Sequence, residues 1–230
     1  MPAPISERRW HQAQRHELEF WKRWRDLPAY QGLDLEDYWA AERRQFGLPP
    51  DFFAGRSVLD VGCGPVGLVH FLPQAALRVR LDPLLLDYRD RLPLADPQLS
   101  LVAAGEALPL AAASVDVCIC FNALDHMREP QAALAEMRRV LRPLGILLVM
   151  VHSFPAWALP FLWPDRLHPH HWTHQSAARM LGRHFQLTRA HRARRHFHLP
   201  WRQRLKPSGW KYAAGNFILW TSYFTAQRTK

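Results

Sequence analysis

The sequence predicts an α/β fold: a doubly wound, mostly parallel seven-stranded sheet with an N-terminal helical extension. Three observations carry the prediction. Short apolar runs alternate with helix-like segments between residues 57 and 151, the pattern of βα crossovers covering both faces of a sheet. The first run leads into "GCGPVG" (62–67), a GxGxxG loop just after a strand, where such a loop opens a ligand crevice. Two later β-rich segments, 185–192 and 216–227, lack a full crossover helix between them and are expected to pair as a hairpin at one sheet edge.

The elements follow in order. Trp10, Ala13, Glu17, Phe20, Trp21 and Trp24 recur at helical spacing over 6–25, with Ser6 as the cap. Asp34 starts a second helix over 34–46, and "GLPPDFFAGR" (47–56) breaks structure. Strands are predicted at 57–61, 78–82, 99–103, 115–121 and 145–151. Helices are predicted at 66–75, 84–92 and 130–141, the last with proline in its first turn. A Pro/Trp/His-rich stretch (152–174) precedes a helix at 175–184 capped by Thr173. The organisation is then an extension over 1–50 and one domain over 51–230.

Composition excludes several classes. Cys63, Cys118 and Cys120 make no disulfide framework, and Cys118 and Cys120 read as small buried hydrophobes on a strand. The first twenty residues lack the apolar stretch of a secretory signal. "GILLVMV" (145–151) is too short to span a bilayer. A cytoplasmic protein is expected, with peripheral membrane contact as an option.

The net charge of +10 is unevenly spread. Residues 1–56 balance nine cations against nine acids, residues 57–150 carry eight against ten, and residues 151–230 carry thirteen against one. The basic segment 192–212 interleaves cations with aromatics, a composition that suits RNA, an anionic membrane surface, or a phosphorylated or glycan-lipid ligand. A solvated basic face is the bland alternative.

The loop's chemistry narrows the cofactor. Asp82 ends the second strand, twenty residues after Gly62, where a carboxylate can accept both hydroxyls of a ribose. NAD and an adenosine-type cofactor both fit that. A pyrophosphate, however, wants helix N–H groups and no adjacent negative charge. Asp60 is a poor neighbour for it, and Pro65 removes one N–H from the loop. S-adenosylmethionine carries an ammonium and a sulfonium and no phosphate.

"VLDVGCGPVG" resembles the first motif of the class I S-adenosylmethionine-dependent methyltransferases. "RLDP" and the block "GEALPLAAASVDVCICFNALDHMREPQAALAEMRRVLRPLGILLV" are similar to the small-molecule, type 11 branch. The resemblance implies a Rossmann-like methyltransferase fold with S-adenosylmethionine as cofactor. It places Gly62, Cys63 and Gly64 along the methionine moiety, with Asp60 near its amino group; a cap on the next helix is the alternative role of Asp60. Asp82 would hold the ribose and Pro83 pack by the adenine. Gly105 and Glu106 would border the adenine, and Phe121 and Asn122 would meet the methionyl or sulfonium part. Two positions depart from the family. Ala104 stands where an aspartate is frequent, and "RPLG" replaces a Pro-Gly-Gly turn, with Leu144 as the odd residue.

Methyl transfer is an in-line displacement, so alignment supplies much of the rate. A base is needed only for an acceptor that must lose a proton. His126 and His152 are the candidates, with capping or packing as their alternative role. His168, His170, His171 and His174 cluster with Asp165, but no metal site is expected there. The segment reads instead as a substrate lid. The expected function is methyl transfer to a small-molecule or glycan/lipid-type acceptor, anionic acceptors included, with the N-terminal extension capping the acceptor site. The alternatives are a nucleic-acid methyltransferase and a non-catalytic S-adenosylmethionine-binding protein.

Overall fold

The computed structural model describes residues 5–24, 32–88, 98–162, 168–194 and 217–230. Seven strands form one sheet in the order β3-β2-β1-β4-β5-β7-β6. They are β1 (Ser57–Val61), β2 (Leu77–Leu81), β3 (Leu99–Leu101), β4 (Val115–Phe121), β5 (Leu141–Ser153), β6 (Gln186–Arg194) and β7 (Trp220–Gln227). The first five pair in parallel. β7 runs antiparallel to both β5 and β6, so the expected edge hairpin forms with its second strand on the inside. Strand order reverses between β1 and β4, which is where a crevice opens in such a sheet.

Alternation along the strands builds a core on each face. Leu59, Cys118 and Leu147 pack towards Met137 of α4 (Pro130–Val140) and Leu181 of α5 (His174–Leu181). Val58, Ile119 and Leu148 pack the other way, with Phe46, Phe53 and Leu72. Cys118 and Cys120 lie fully buried in the first layer, as small hydrophobes should.

Two helices precede the sheet. In α1 (Glu7–Arg23) the Ser6 hydroxyl accepts the Arg9 N–H at 3.3 Å. In α2 (Leu35–Gln45) the Asp34 carboxylate accepts the Asp37 N–H at 2.9 Å. Thr173 caps α5 through the Ser176 N–H at 3.0 Å.

The helix predicted over 66–75 is instead a single 3-10 turn, Leu68–Phe71. Gly67 stands before it in an extended conformation. Pro73 follows and disfavours helical geometry at Leu72, whose φ is −120° and ψ 58°. Little space remains for more than one turn. The predicted helix over 84–92 is present as α3 (Leu85–Tyr88), and its remainder lies outside the described residues. So do positions 195–212 of the basic segment, while Arg192 and Arg194 on β6 stack over Trp220 at 4.7 and 5.2 Å. Among the described residues no helix is long and apolar enough to cross a membrane.

β5 begins earlier than predicted and carries the odd turn residue. Leu144 sits at φ 64°, half-exposed, with its N–H donated to the Arg228 carbonyl at 3.1 Å. A left-handed leucine costs about 1 kcal/mol or more. Leu144→Gly keeps the backbone bond to Arg228 and removes that cost, offset in part by the freer unfolded chain. It is expected to raise stability by about 0.5–1 kcal/mol in chemical denaturation; a decrease would show that the leucine side chain contributes packing that outweighs its backbone strain.

Candidate active site

The carboxyl ends of β1, β2 and β4 open into a cavity of about 730 Å³. Its floor is the glycine loop. Gly62 and Gly64 adopt φ 69° and 58°, and the Gly62 and Cys63 N–H groups both donate to the Leu81 carbonyl, at 2.7 and 3.2 Å. The loop is thereby tied to the end of β2, where Asp82 stands. One Asp82 oxygen accepts the Gly64 N–H at 3.0 Å and the other the Leu84 N–H at 2.8 Å. Burial pushes the Asp82 carboxyl up to about 6, against the pull of these two hydrogen bonds.

Nine of the ten residues expected to hold a cofactor lie on this wall: Gly62, Cys63, Gly64, Asp82, Pro83, and beyond β3 and β4 Gly105, Glu106, Phe121 and Asn122. Glu106 has a second role, since its carboxylate accepts the Arg128 and Glu129 N–H groups at the start of α4, at 2.7 and 3.0 Å. Asn122 takes a left-handed conformation at φ 49°, which asparagine tolerates, and its buried side-chain oxygen lacks a hydrogen-bond partner. Phe121 stacks on Phe46 at 5.0 Å and on Trp39 at 5.9 Å.

Asp60 is placed differently from the rest. Its carboxylate lies beneath the loop and accepts the Val69 N–H at 3.2 Å, capping the 3-10 turn; it is not on the cavity wall. A side chain at Gly67 would collide with it. Burial, with the Asp82 carboxylate nearby, pushes Asp60 up to about 7. One Asp60 oxygen is thus engaged by the 3-10 turn, on the underside of the loop that the resemblance sets against a methionine amino group.

The helical extension forms the opposite wall. α1 contributes Trp10, Gln14, Glu17 and Trp21, and α2 contributes Tyr38 and Trp39. Trp21 donates its indole N–H to Glu17 at 2.6 Å, and the other Glu17 oxygen stands 3.5 Å from His126 Nδ1. His126 and His152 both line the cavity.

Asp125, adjacent to His126, is a residue that the sequence reading passed over. It is 3 % exposed. Burial raises its carboxyl, but the imidazoles of His126, His168 and His152 outweigh that and hold it below the ordinary range. His168 and His171 come to the same wall from the segment after β5. His170 and His174 are structural instead. His170 Nε2 lies 2.9 Å from the Met127 carbonyl, and His174 Nδ1 lies 3.0 Å from Ser222 Oγ. Burial lowers the pKa of both.

The wall's charge decides what it can hold. Among the described residues it carries the carboxylates Glu17, Asp82, Glu106 and Asp125 and no lysine or arginine. Such a wall repels phosphate groups and suits a ligand bearing ammonium or sulfonium charge. The Asp82 carboxylate, the orphaned Asn122 oxygen and the glycines of the loop fit an adenosine-type cofactor of that charge.

Comparison with known proteins agrees. Residues 59–149 match the family described as Methyltransferase domain. An uncharacterized methyltransferase of Mycobacterium avium is 34% identical over 130 residues, covering 55% of this chain and 48% of that protein. The chain spans about half the length of the curated relatives it matches. Among solved structures, a chain from the complex of the Haloferax volcanii Trm112 methyltransferase activator with its methyltransferase superposes at TM-score 0.71 and 18% identity, covering 94% of this chain and 97% of that one. The 4+2 cyclase SpnF superposes at TM-score 0.70 and 19% identity, covering 99% and 97%; at these identities the likeness is one of fold. The sheet order, the glycine loop and Asp82 all fall within or beside residues 59–149, the stretch that matches the methyltransferase-domain family, and the fold is that of the solved structures above.

Proposed function

We propose that the chain transfers the methyl group of S-adenosylmethionine to a small acceptor with an apolar or aromatic body. The observation that carries this reading is the far wall of the cavity. It is built from the aromatic faces of α1 and α2 and lacks a cation among the described residues. Tryptophan and tyrosine offer flat apolar surface with a polar edge, which suits a ring or a chain more than a phosphorylated group. An anionic acceptor, allowed by the sequence, is therefore set aside.

S-adenosylmethionine supplies an electrophilic methyl group when bound. The protein's part is to bind, orient and dry the site. Asp82 takes the ribose hydroxyls, while Gly62, Cys63 and Gly64 leave room for the methionine moiety. Trp21, Trp39 and Phe121 hold the acceptor from the side of α1 and α2 and exclude water. A hydroxyl or amine acceptor that must lose a proton has two imidazoles on the wall to receive it, His126 and His152.

The test is a methylation assay on the full chain with labelled S-adenosylmethionine. Phenolic and aliphatic alcohols, amines and total RNA are offered as separate acceptors, the RNA at two salt concentrations. Label in a small neutral or amine acceptor is the expected result. Label in RNA that falls steeply with salt would overturn it in favour of the basic segment and a polymer. Cofactor binding without transfer to any acceptor class would favour a non-catalytic binding protein.

A further inference from the structure

One ligating atom each of Asp125, His126 and His168 lies within 4.8 Å of the others, at the edge of the cavity. We infer that these three side chains form a binding site for one divalent transition-metal ion of the zinc type. Beside that convergence, an unpartnered buried atom points to a missing ligand. The Asp125 Oδ1 atom is buried without a hydrogen-bond partner, and the His126 Nδ1 atom, buried beside it, makes no hydrogen bond and has only the Glu17 carboxylate at 3.5 Å. A buried polar atom left in that state is costly, and a cation between them would satisfy it.

The donor chemistry selects the ion. Two imidazoles and one carboxylate are the ligand set of zinc and related ions, with bonds of about 2.0–2.2 Å. Such bonds bring ligating atoms to roughly 3.3 Å from one another, so the half-buried rings of His126 and His168 need only turn inward from their present spacing. Their centroids are 4.7 Å apart. His171 lies beyond, 6.4 Å from the His168 ring. Three protein ligands leave a further position open on the cavity side, the arrangement of a metal that works on a bound molecule.

The site divides the histidines' duties. His126 becomes a ligand, and His152, its ring 6.2 Å from that of His168, is left to receive an acceptor proton. The metal would polarise the acceptor's oxygen and make that proton easier to lose. The sequence does not announce the site, because Asp125 and His168 are separated by more than forty residues. The segment around His168 offers only Asp165 as a nearby carboxylate.

The test reads metal directly and does not depend on methyl transfer. The full chain, stripped with chelator, is titrated with Co²⁺ while its visible absorption is followed. S-adenosylhomocysteine binding is measured in parallel to report an intact fold. Wild type should develop d–d bands that saturate at one equivalent and are displaced by Zn²⁺. His168→Ala and Asp125→Ala should each lower Co²⁺ affinity at least about tenfold, with S-adenosylhomocysteine still bound by the His168 variant. Absence of a saturable band in wild type that binds S-adenosylhomocysteine would overturn the metal site and leave the methyl-transfer reading standing. So would a band of unchanged affinity in the His168→Ala protein, which would assign the ion to other histidines.

Discussion

Asp82→Ala should lower S-adenosylmethionine affinity by about 10²- to 10³-fold in calorimetry. A hydrogen bond to a charged acceptor contributes about 1.5–3 kcal/mol, two ribose hydroxyls share this carboxylate in the proposed role, and each 1.4 kcal/mol is about tenfold. The same substitution frees the Gly64 and Leu84 N–H groups that Asp82 now holds at 3.0 and 2.8 Å, so the glycine loop loosens as well. Asp82→Asn, which keeps the shape and one acceptor, should lose less. An unchanged affinity in Asp82→Ala would remove the ribose role altogether.

The pH dependence carries a sign that checks the same assignment. Burial raises Asp82 to about 6 and Asp60 to about 7, against about 4 in an unfolded chain. Between these values the folded, ligand-free protein holds more protons than the unfolded one. The contribution of both groups to stability is complete below about pH 4 and is lost as pH rises through 6 and 7. A cationic ligand prefers Asp82 ionised, so affinity should rise across the same window. Thermal stabilisation by S-adenosylmethionine should therefore be larger at pH 8 than at pH 5.5, and Asp82→Asn should flatten the affinity profile.

Much of this site is legible in the chain because its parts are contiguous. The strand, loop and Asp82 obey local rules: a short apolar run, glycine where φ must be positive, an acid one strand later. For Asp60 the sequence offers two roles, a ligand contact and a cap, without choosing between them. Whether its carboxylate faces a ligand or the Val69 N–H depends on the 3-10 turn, and Pro73 shortened that turn below the helix that hydrophobic periodicity suggests. Asp125 and Glu17 escape for another reason. Each matters through what the fold sets against it, His168 and His126 respectively, and no spacing rule links residues from separate crossovers. The signals that could have found them are small: an acid beside His126, and a glutamate four residues before Trp21 on the aromatic face of a helix.

Gly62→Ala should both destabilise the protein and abolish cofactor binding. At φ 69° an alanine costs about 1 kcal/mol from backbone strain alone. Its methyl would also overlap the Ala123 Cβ, and neither side can yield easily. The Gly62 N–H is bonded to Leu81 at 2.7 Å, and the Asn122 N–H, just before Ala123, to Met150 at 2.8 Å. Relief means moving one of the two turns that floor the cavity. A loss of about 2–4 kcal/mol is expected, with a fall in melting temperature of several degrees. Gly55 supplies the control, because it has the same φ of 69° and nothing within 4 Å of an added Cβ. Gly55→Ala should cost only the backbone strain and leave S-adenosylmethionine affinity unchanged. Adding Ala123→Gly to Gly62→Ala removes the overlap but not the strain, so it should recover part of the stability and part of the binding. Failure of that rescue would mean the loop depends on Gly62 for its backbone alone, not for its contact with the β4 turn.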